Sequence, residues 1–200
     1  LLSRMGYSLA WVAVRGSTPA AVHEVLGLRD TGARSDLAET EADGASLPGG
    51  WYVVVSDHDA LGLTDERLLA RLSSLGDVGV CFVEEHVMFS SAELWRRGAR
   101  VWSITHDSEA GLAHLEVLGT PPPVLAEIRR RLSPPAGTAA LDGDDDDVDE
   151  SFEVPIEMGK ALTGFRRDAD VPGAADAAQP FELLERAPPE RPFWRRLFGG

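Results

Sequence analysis

The chain of 200 residues contains a single cysteine, Cys81. One thiol can form neither an intramolecular disulfide nor a thiolate metal cage, which excludes disulfide scaffolds and cysteine-rich zinc modules. No apolar run reaches the roughly 18–20 residues that a membrane-spanning helix needs. Positive charge is scarce: 19 Lys and Arg against 33 Asp and Glu leave a formal net charge of −14. Nucleic-acid binding draws on clustered Lys and Arg to displace counterions, so a nucleic-acid partner is not expected. Phosphate-binding loops are missing too. GLRDTGARSD has glycines and arginines, but it follows a helix pattern and contains no GK[ST]. The chain carries no segment that reads as a secretory signal, which together with the lone thiol makes the cytoplasm the expected location.

What is present is enough apolar material for a core, 44% of the residues. MGYSLAWVAVRG, from Met5, reads as a natural start running into a strand, so Leu1 to Arg4 are expected to be an upstream remnant or a short extension. Tyr7 to Arg15 is a buried-strand pattern. Ser17-Thr18-Pro19 then offers a hydroxyl cap and a first-turn proline for a short helix closed by Gly27. His23 falls off that helix's apolar face and is expected to meet solvent. Arg29 to Gly50 is polar and glycine-containing, and predicts a loop. Trp51 to Ser56 is an unbroken apolar run, the mark of a strand covered on both faces. Thr64, Asp65 and Glu66 open a second helix with the core stripe Leu68, Leu69, Leu72 and Leu75.

A strand-rich block follows: Val78–Val83, His86–Leu94 and Arg100–Thr105, with a turn at Arg97-Gly98 and a further short strand at His114–Val117. Thr120 and Pro121 introduce a third helix whose Val124, Leu125, Ile128 and Leu132 face inward. Hairpin-linked strands after two strand–helix units predict an α+β fold, a largely antiparallel sheet packed by helices. Residues 5–135 form that domain, and 136–150 an acidic linker. Residues 151–167 make a helix packing back on the domain, with Pro155 in its first turn. Residues 168–200 are expected to be a disordered tail of little consequence for stability, ending in the aromatic and basic RPFWRRLFGG.

GYSLAWVAVRG, CFVEEHVMFSSAELWRRGARVWSITHD and FEVPIEMGKALTGFRRD together resemble a family of uncharacterised bacterial proteins with no established function. The resemblance spans most of Met5 to Asp168. It implies no activity, cofactor or catalytic residue, and it supports counting 152–167 with the folded unit.

Chemistry-bearing residues concentrate in two places. Glu84, Glu85 and His86 lie near the end of one strand, and His106 and Asp107 near the end of another. Two carboxylates and two imidazoles can bind a metal or move protons, but adjacent strand residues point to opposite faces, so Glu84 and His86 can share a side while Glu85 cannot. Cys81, between Val80 and Phe82, reads as a small buried hydrophobe rather than a nucleophile. His58 between Asp57 and Asp59 reads as a turn. The run from Asp142 has Asp at the first, third and fifth positions of a calcium loop, with Glu153 at the twelfth. It places Asp147 where that loop needs glycine, and so reads as a solvated spacer. The second place is the C-terminus, where Phe193, Trp194, Leu197 and Phe198 would cluster on one side of a helical turn, with Arg191, Arg195 and Arg196 elsewhere. That composition suits a groove on a protein partner or an anionic membrane surface.

The expected function is therefore a non-enzymatic acidic binding protein, adaptor-like or immunity-like, with no cofactor or metal. The competing expectation is a small metal-dependent or acid–base enzyme using Glu84, Glu85, His86, His106 and Asp107.

Overall fold

The computed structural model describes residues 7–36, 38, 40–132, 150–167 and 180–188. Among them run nine strands: β1 (Ser8–Arg15), β2 (Leu28–Ser35), β3 (Asp43–Leu47), β4 (Trp51–Asp57), β5 (Asp77–Glu84), β6 (Phe89–Arg96), β7 (Ala99–Asp107), β8 (Glu116–Gly119) and β9 (Phe181–Arg186). Four α-helices accompany them: α1 (Pro19–Leu26), α2 (Glu66–Leu72), α3 (Val124–Leu132) and α4 (Glu150–Thr163). The strands form one sheet in the order β2-β9-β3-β4-β1-β5-β6-β7-β8, and every pairing is antiparallel. The fold is α+β.

Alternation along the central strands sends side chains to two separate cores. Ala10, Val12, Val14, Tyr52, Val54, Val78 and Val80 meet α1 and α2 on one face. Leu9, Trp11, Ala13, Val53, Val55, Cys81 and Val83 meet α4 on the other, and farther along that face Ala92, Trp102 and Ile104 meet α3 and α4. Residues Trp51 to Ser56 are all buried because both faces of β4 are covered. α4 comes especially close. A Cβ at Gly159 would stand 2.8 Å from the Trp11 ring, so the glycine lets the helix backbone lie against the indole.

Local signals account for most element ends. Thr18 Oγ1 accepts from Ala21 N at 3.3 Å, Pro19 opens α1, and Gly27 closes it with φ 66°. Asp65 caps α2 through Leu68 N. Arg97 (φ 50°) and Gly98 (φ 82°) make the left-handed pair of a two-residue hairpin turn between β6 and β7.

Several expectations need correction. The stretch 29–50 is not a loop, because all of β2 but its first residue and the whole of β3 lie within it. β2 is exposed along most of its length, so it lacks the apolar alternation by which a strand is read. The strand assigned to His86–Leu94 begins at Phe89, since Glu85–Val87 make one 3-10 turn held by Glu84, whose carboxylate accepts from His86 N. The strand assigned to His114–Val117 is shifted to Glu116–Gly119. Pro155 sits inside α4, where it removes one N–H from the helix ladder, rather than in the first turn. One turn back, the Phe152 carbonyl accepts from the buried Ser90 hydroxyl at 2.7 Å.

The largest correction concerns the tail assigned to 168–200. Within it Phe181–Arg186 forms β9, inserted between β2 and β3, with Phe181 and Leu184 buried in opposite cores. FELLER is too short and too charged to declare itself; its partners supply the reason for its conformation. The acidic run Asp142–Asp147 and the segment Phe193–Phe198 lie outside the described residues. Among the described residues no helix is long and apolar enough to cross a membrane.

Candidate functional site

The loops at one end of the sheet gather most of the chemistry. β1 begins there at Ser8, β4 ends at Asp57, β5 ends at Glu84, β7 ends at Asp107 and β8 begins at Glu116. Register makes this inevitable: Ser8 pairs with Glu84, Glu84 with Phe89, and Phe89 with Asp107. The connections are tied to one another. His58 N donates to Ser8 O, Glu85 N to Tyr7 O, and Ser108 Oγ to Val87 O at 2.8 Å. Carboxylates from four stretches thus share one end: Asp57 and Asp59, Glu84 and Glu85, Asp107 and Glu109, and Glu116.

Their local duties differ. Asp59 accepts from Leu63 N and from the Thr64 hydroxyl, shaping the turn into α2. Glu84 is held below the usual carboxylate range by the Ser8 hydroxyl first, and by its 2.8 Å contact with His86 Nδ1. Glu85 accepts from Tyr7 N, and Asp107 from Glu109 N. Among the described residues no lysine or arginine is ion-paired with any of these seven carboxylates. Two aliphatic side chains stand in water beside them, Val87 at 50% and Leu112 at 74% exposure.

The five residues expected to form a metal or acid–base centre do not converge. Glu84 and His86 meet, as their spacing allows. His106 is fully buried and belongs to the opposite face, edge-on to Phe152, with Nδ1 2.8 Å from His114 O. His114 Nδ1 accepts from Asp107 N at 3.1 Å. Among the described residues no group of three His, Cys, Asp or Glu could hold a metal ion. Cys81 is buried, and burial pushes its thiol up to about 12.

A second polar constellation escaped the sequence reading. His23 is buried in the face it shares with Tyr52, contrary to the solvated position expected for it. Its Nε2 lies 2.6 Å from Tyr52 Oη, which in turn donates to Glu182 Oε2 at 2.8 Å. A carboxylate can only accept, so Tyr52 donates to it and accepts from His23, whose proton then resides on Nε2. Burial lowers the His23 pKa, with Glu182 and Asp30 opposing, and burial also raises that of Tyr52. Tyr52 reaches β9 by crossing Gly44 of β3, where a Cβ would stand 2.1 Å from the phenol oxygen. On the solvent side Arg34 holds Asp30 with two contacts of 3.0 Å, and lies 4.0 Å from Glu182. The members come from α1, β2, β4 and β9, so no local spacing announces them. The one sequence hint is a tyrosine in an otherwise apolar strand, since a buried phenol needs a partner.

At the opposite end of the sheet Asp77 bridges Arg15 and Arg96, which hold its carboxyl below the usual range, Arg96 foremost. An open depression of about 600 Å³ beside it is lined by Ser73, Ser74, Leu75, Gly76, Asp77, Arg96 and Arg97. Arg15, Arg96 and Arg97 thus gather at one end of the central strands and the seven carboxylates at the other, where Arg29 of β2 and Arg186 of β9 also lie. No family model matches the chain, and neither does any curated protein or solved structure.

Proposed function

We propose that the protein is a non-enzymatic, cytoplasmic binding protein that captures a basic, apolar-containing segment of a protein partner on the carboxylate-rich end of its sheet. The observation that carries this reading is the gathering of Glu85, Glu109 and Glu116, free of lysine or arginine partners among the described residues, with the exposed Val87 and Leu112. Carboxylates steer a cationic partner and set its register, and desolvated aliphatic contacts slow its release. The dispersal of Glu84, His86, His106 and Asp107 over two faces supports a binding role over acid–base catalysis by that set.

The test is binding of a fluorescein-labelled decapeptide of alternating arginine and phenylalanine, followed by anisotropy. Saturable binding that weakens with salt is expected. A variant carrying Glu109→Lys, Glu116→Lys and Leu112→Ser should bind at least about tenfold more weakly. Equal affinity of the two proteins, or no saturable binding by either, would remove the reading.

A further inference from the structure

The carboxylate-rich end is also where the described chain leaves the fold. β9 runs antiparallel to β2 so that Arg186 faces Leu28, and Ala187 N donates to Gly27 O at 2.7 Å. Arg186 donates to Ala60 O at 2.8 Å, and Ala60 follows Asp59 in the connection that leads from β4 to α2. The last described residue, Pro188, thus emerges beside one of the acidic stretches. Twelve residues follow, Pro189 to Gly200, including Arg191, Phe193, Trp194, Arg195, Arg196, Leu197 and Phe198.

The surface ahead of that exit fits this composition. α1 and α2 cover their face of the sheet as far as β6, and the Arg100–Glu66 ion pair reaches the start of β7. Neither helix makes an extended contact with β7 or β8. The register places Phe89, Thr105 and Leu118 on this uncovered area, with Leu118 46% exposed. Glu116, on β8, faces the same side as Thr105, its partner in the register. From β9, where the chain leaves the sheet, β6 is five strands away and β7 six, spans of about 24 and 29 Å at roughly 4.8 Å per strand. Phe193 lies five residues beyond Pro188, and Phe198 ten, so at about 3.3 Å per residue the segment reaches about 16 to 33 Å.

We propose that the C-terminal segment Arg191–Phe198 docks in cis on this area, with its arginines on the carboxylates and its aromatics over Phe89 and Leu112, and that it competes there with a basic partner. The proposal rests on the binding reading above and names its regulator. A tether this short gives the segment an effective concentration on the order of millimolar, so a partner must outbid it and weak cationic peptides are turned away.

Trp194 supplies the readout. The other four of the five tryptophans, Trp11, Trp51, Trp95 and Trp102, are 2–6% exposed, so acrylamide quenching of the full chain, corrected with Trp194→Phe, reports Trp194. The expected result is a Trp194 shielded in the wild type. Its quenching constant should rise at least about threefold in Arg191→Ala/Arg195→Ala/Arg196→Ala, and equally in Glu109→Gln/Glu116→Gln/Leu112→Ser. The first variant leaves the described residues untouched, so a folding defect in the second does not spoil the test. A Trp194 equally quenched in the wild type and the arginine variant overturns the proposal. So does one that becomes shielded only when vesicles of equal parts phosphatidylcholine and phosphatidylglycerol are added, which would make the segment a membrane anchor. The Arg/Phe decapeptide separates the two readings: the arginine-to-alanine chain should bind it about tenfold more tightly than the wild type. Unchanged binding removes the cis competitor and leaves the surface standing, whereas no binding by either chain removes the surface as a partner site.

Discussion

Tyr52 holds the side chains of three distant parts of the chain together. Its hydroxyl is the acceptor for His23 and the donor to Glu182, so Tyr52→Phe would strand an N–H in a buried site and leave the carboxylate without that donor. The expected cost is about 1–3 kcal/mol, measured as a lowered urea midpoint with an unchanged slope. Gly44→Ala should act on the same contact from beneath, because the new methyl would occupy the path of the phenol. His23 gives the network a pH signature. Its folded pKa is lowered from the ordinary 6.5, so below that value the unfolded chain binds the proton more readily than the folded one. Stability that is fully present above pH 6.5 should therefore fall as pH drops through the folded pKa, and His23→Gln should flatten that limb in urea titrations from pH 8 to pH 5. An unchanged limb would show that other groups set it.

At the scale of elements, β9 decides how much of the sheet survives. It joins β2 to β3, and its Phe181 and Leu184 enter both cores. Truncation after Asp168 should lower the thermal midpoint sharply and expose apolar surface to a dye, whereas truncation after Pro188 should leave the midpoint nearly unchanged. A midpoint indifferent to the first truncation would mean that β9 adds nothing to the sheet. The far end of the sheet has its own linkage. Asp77 ties β1 to β6 through Arg15 and Arg96, and its folded pKa is lowered from 3.8. The contribution is present above that unfolded value and is lost as pH falls through the folded one, so Asp77→Asn should lower stability at neutral pH and converge with the wild type once the pH is below the folded value. Gly159→Leu should separate α4 from Trp11 and cost about 1–3 kcal/mol by overpacking.

For the whole molecule, charge is distributed along the strands rather than between the faces. Carboxylates gather where β4, β5 and β7 end, and arginines where β1 and β6 end, which orients the protein in the field of a cationic partner. The buried thiol stays out of this chemistry. Native protein should resist iodoacetamide at neutral pH, and labelling of Cys81 should appear only with unfolding, because burial raises the thiol pKa to about 12 and disfavours the reactive thiolate.

The chain's own patterning determined the fold class, the helix cap at Thr18, the start of α2 within Thr64 to Glu66, the Arg97-Gly98 turn and the burial of Trp51 to Ser56 and of Cys81. Each of these rests on neighbours within a few residues: a hydroxyl or carboxylate ahead of a helix, a left-handed pair in a hairpin, an unbroken apolar run. Tertiary structure alone decided β2, β3 and β9, whose residues show no clear alternation because the strands pair at or near an edge and gain their order from ladder hydrogen bonds. It also turned His23 inward, toward a tyrosine and a glutamate from distant strands, and parted His106 from Glu84 by placing them on opposite faces. The carboxylate-rich end arose the same way. Its members lie far apart in the chain, and antiparallel register brings strand termini together, whatever their separation in sequence.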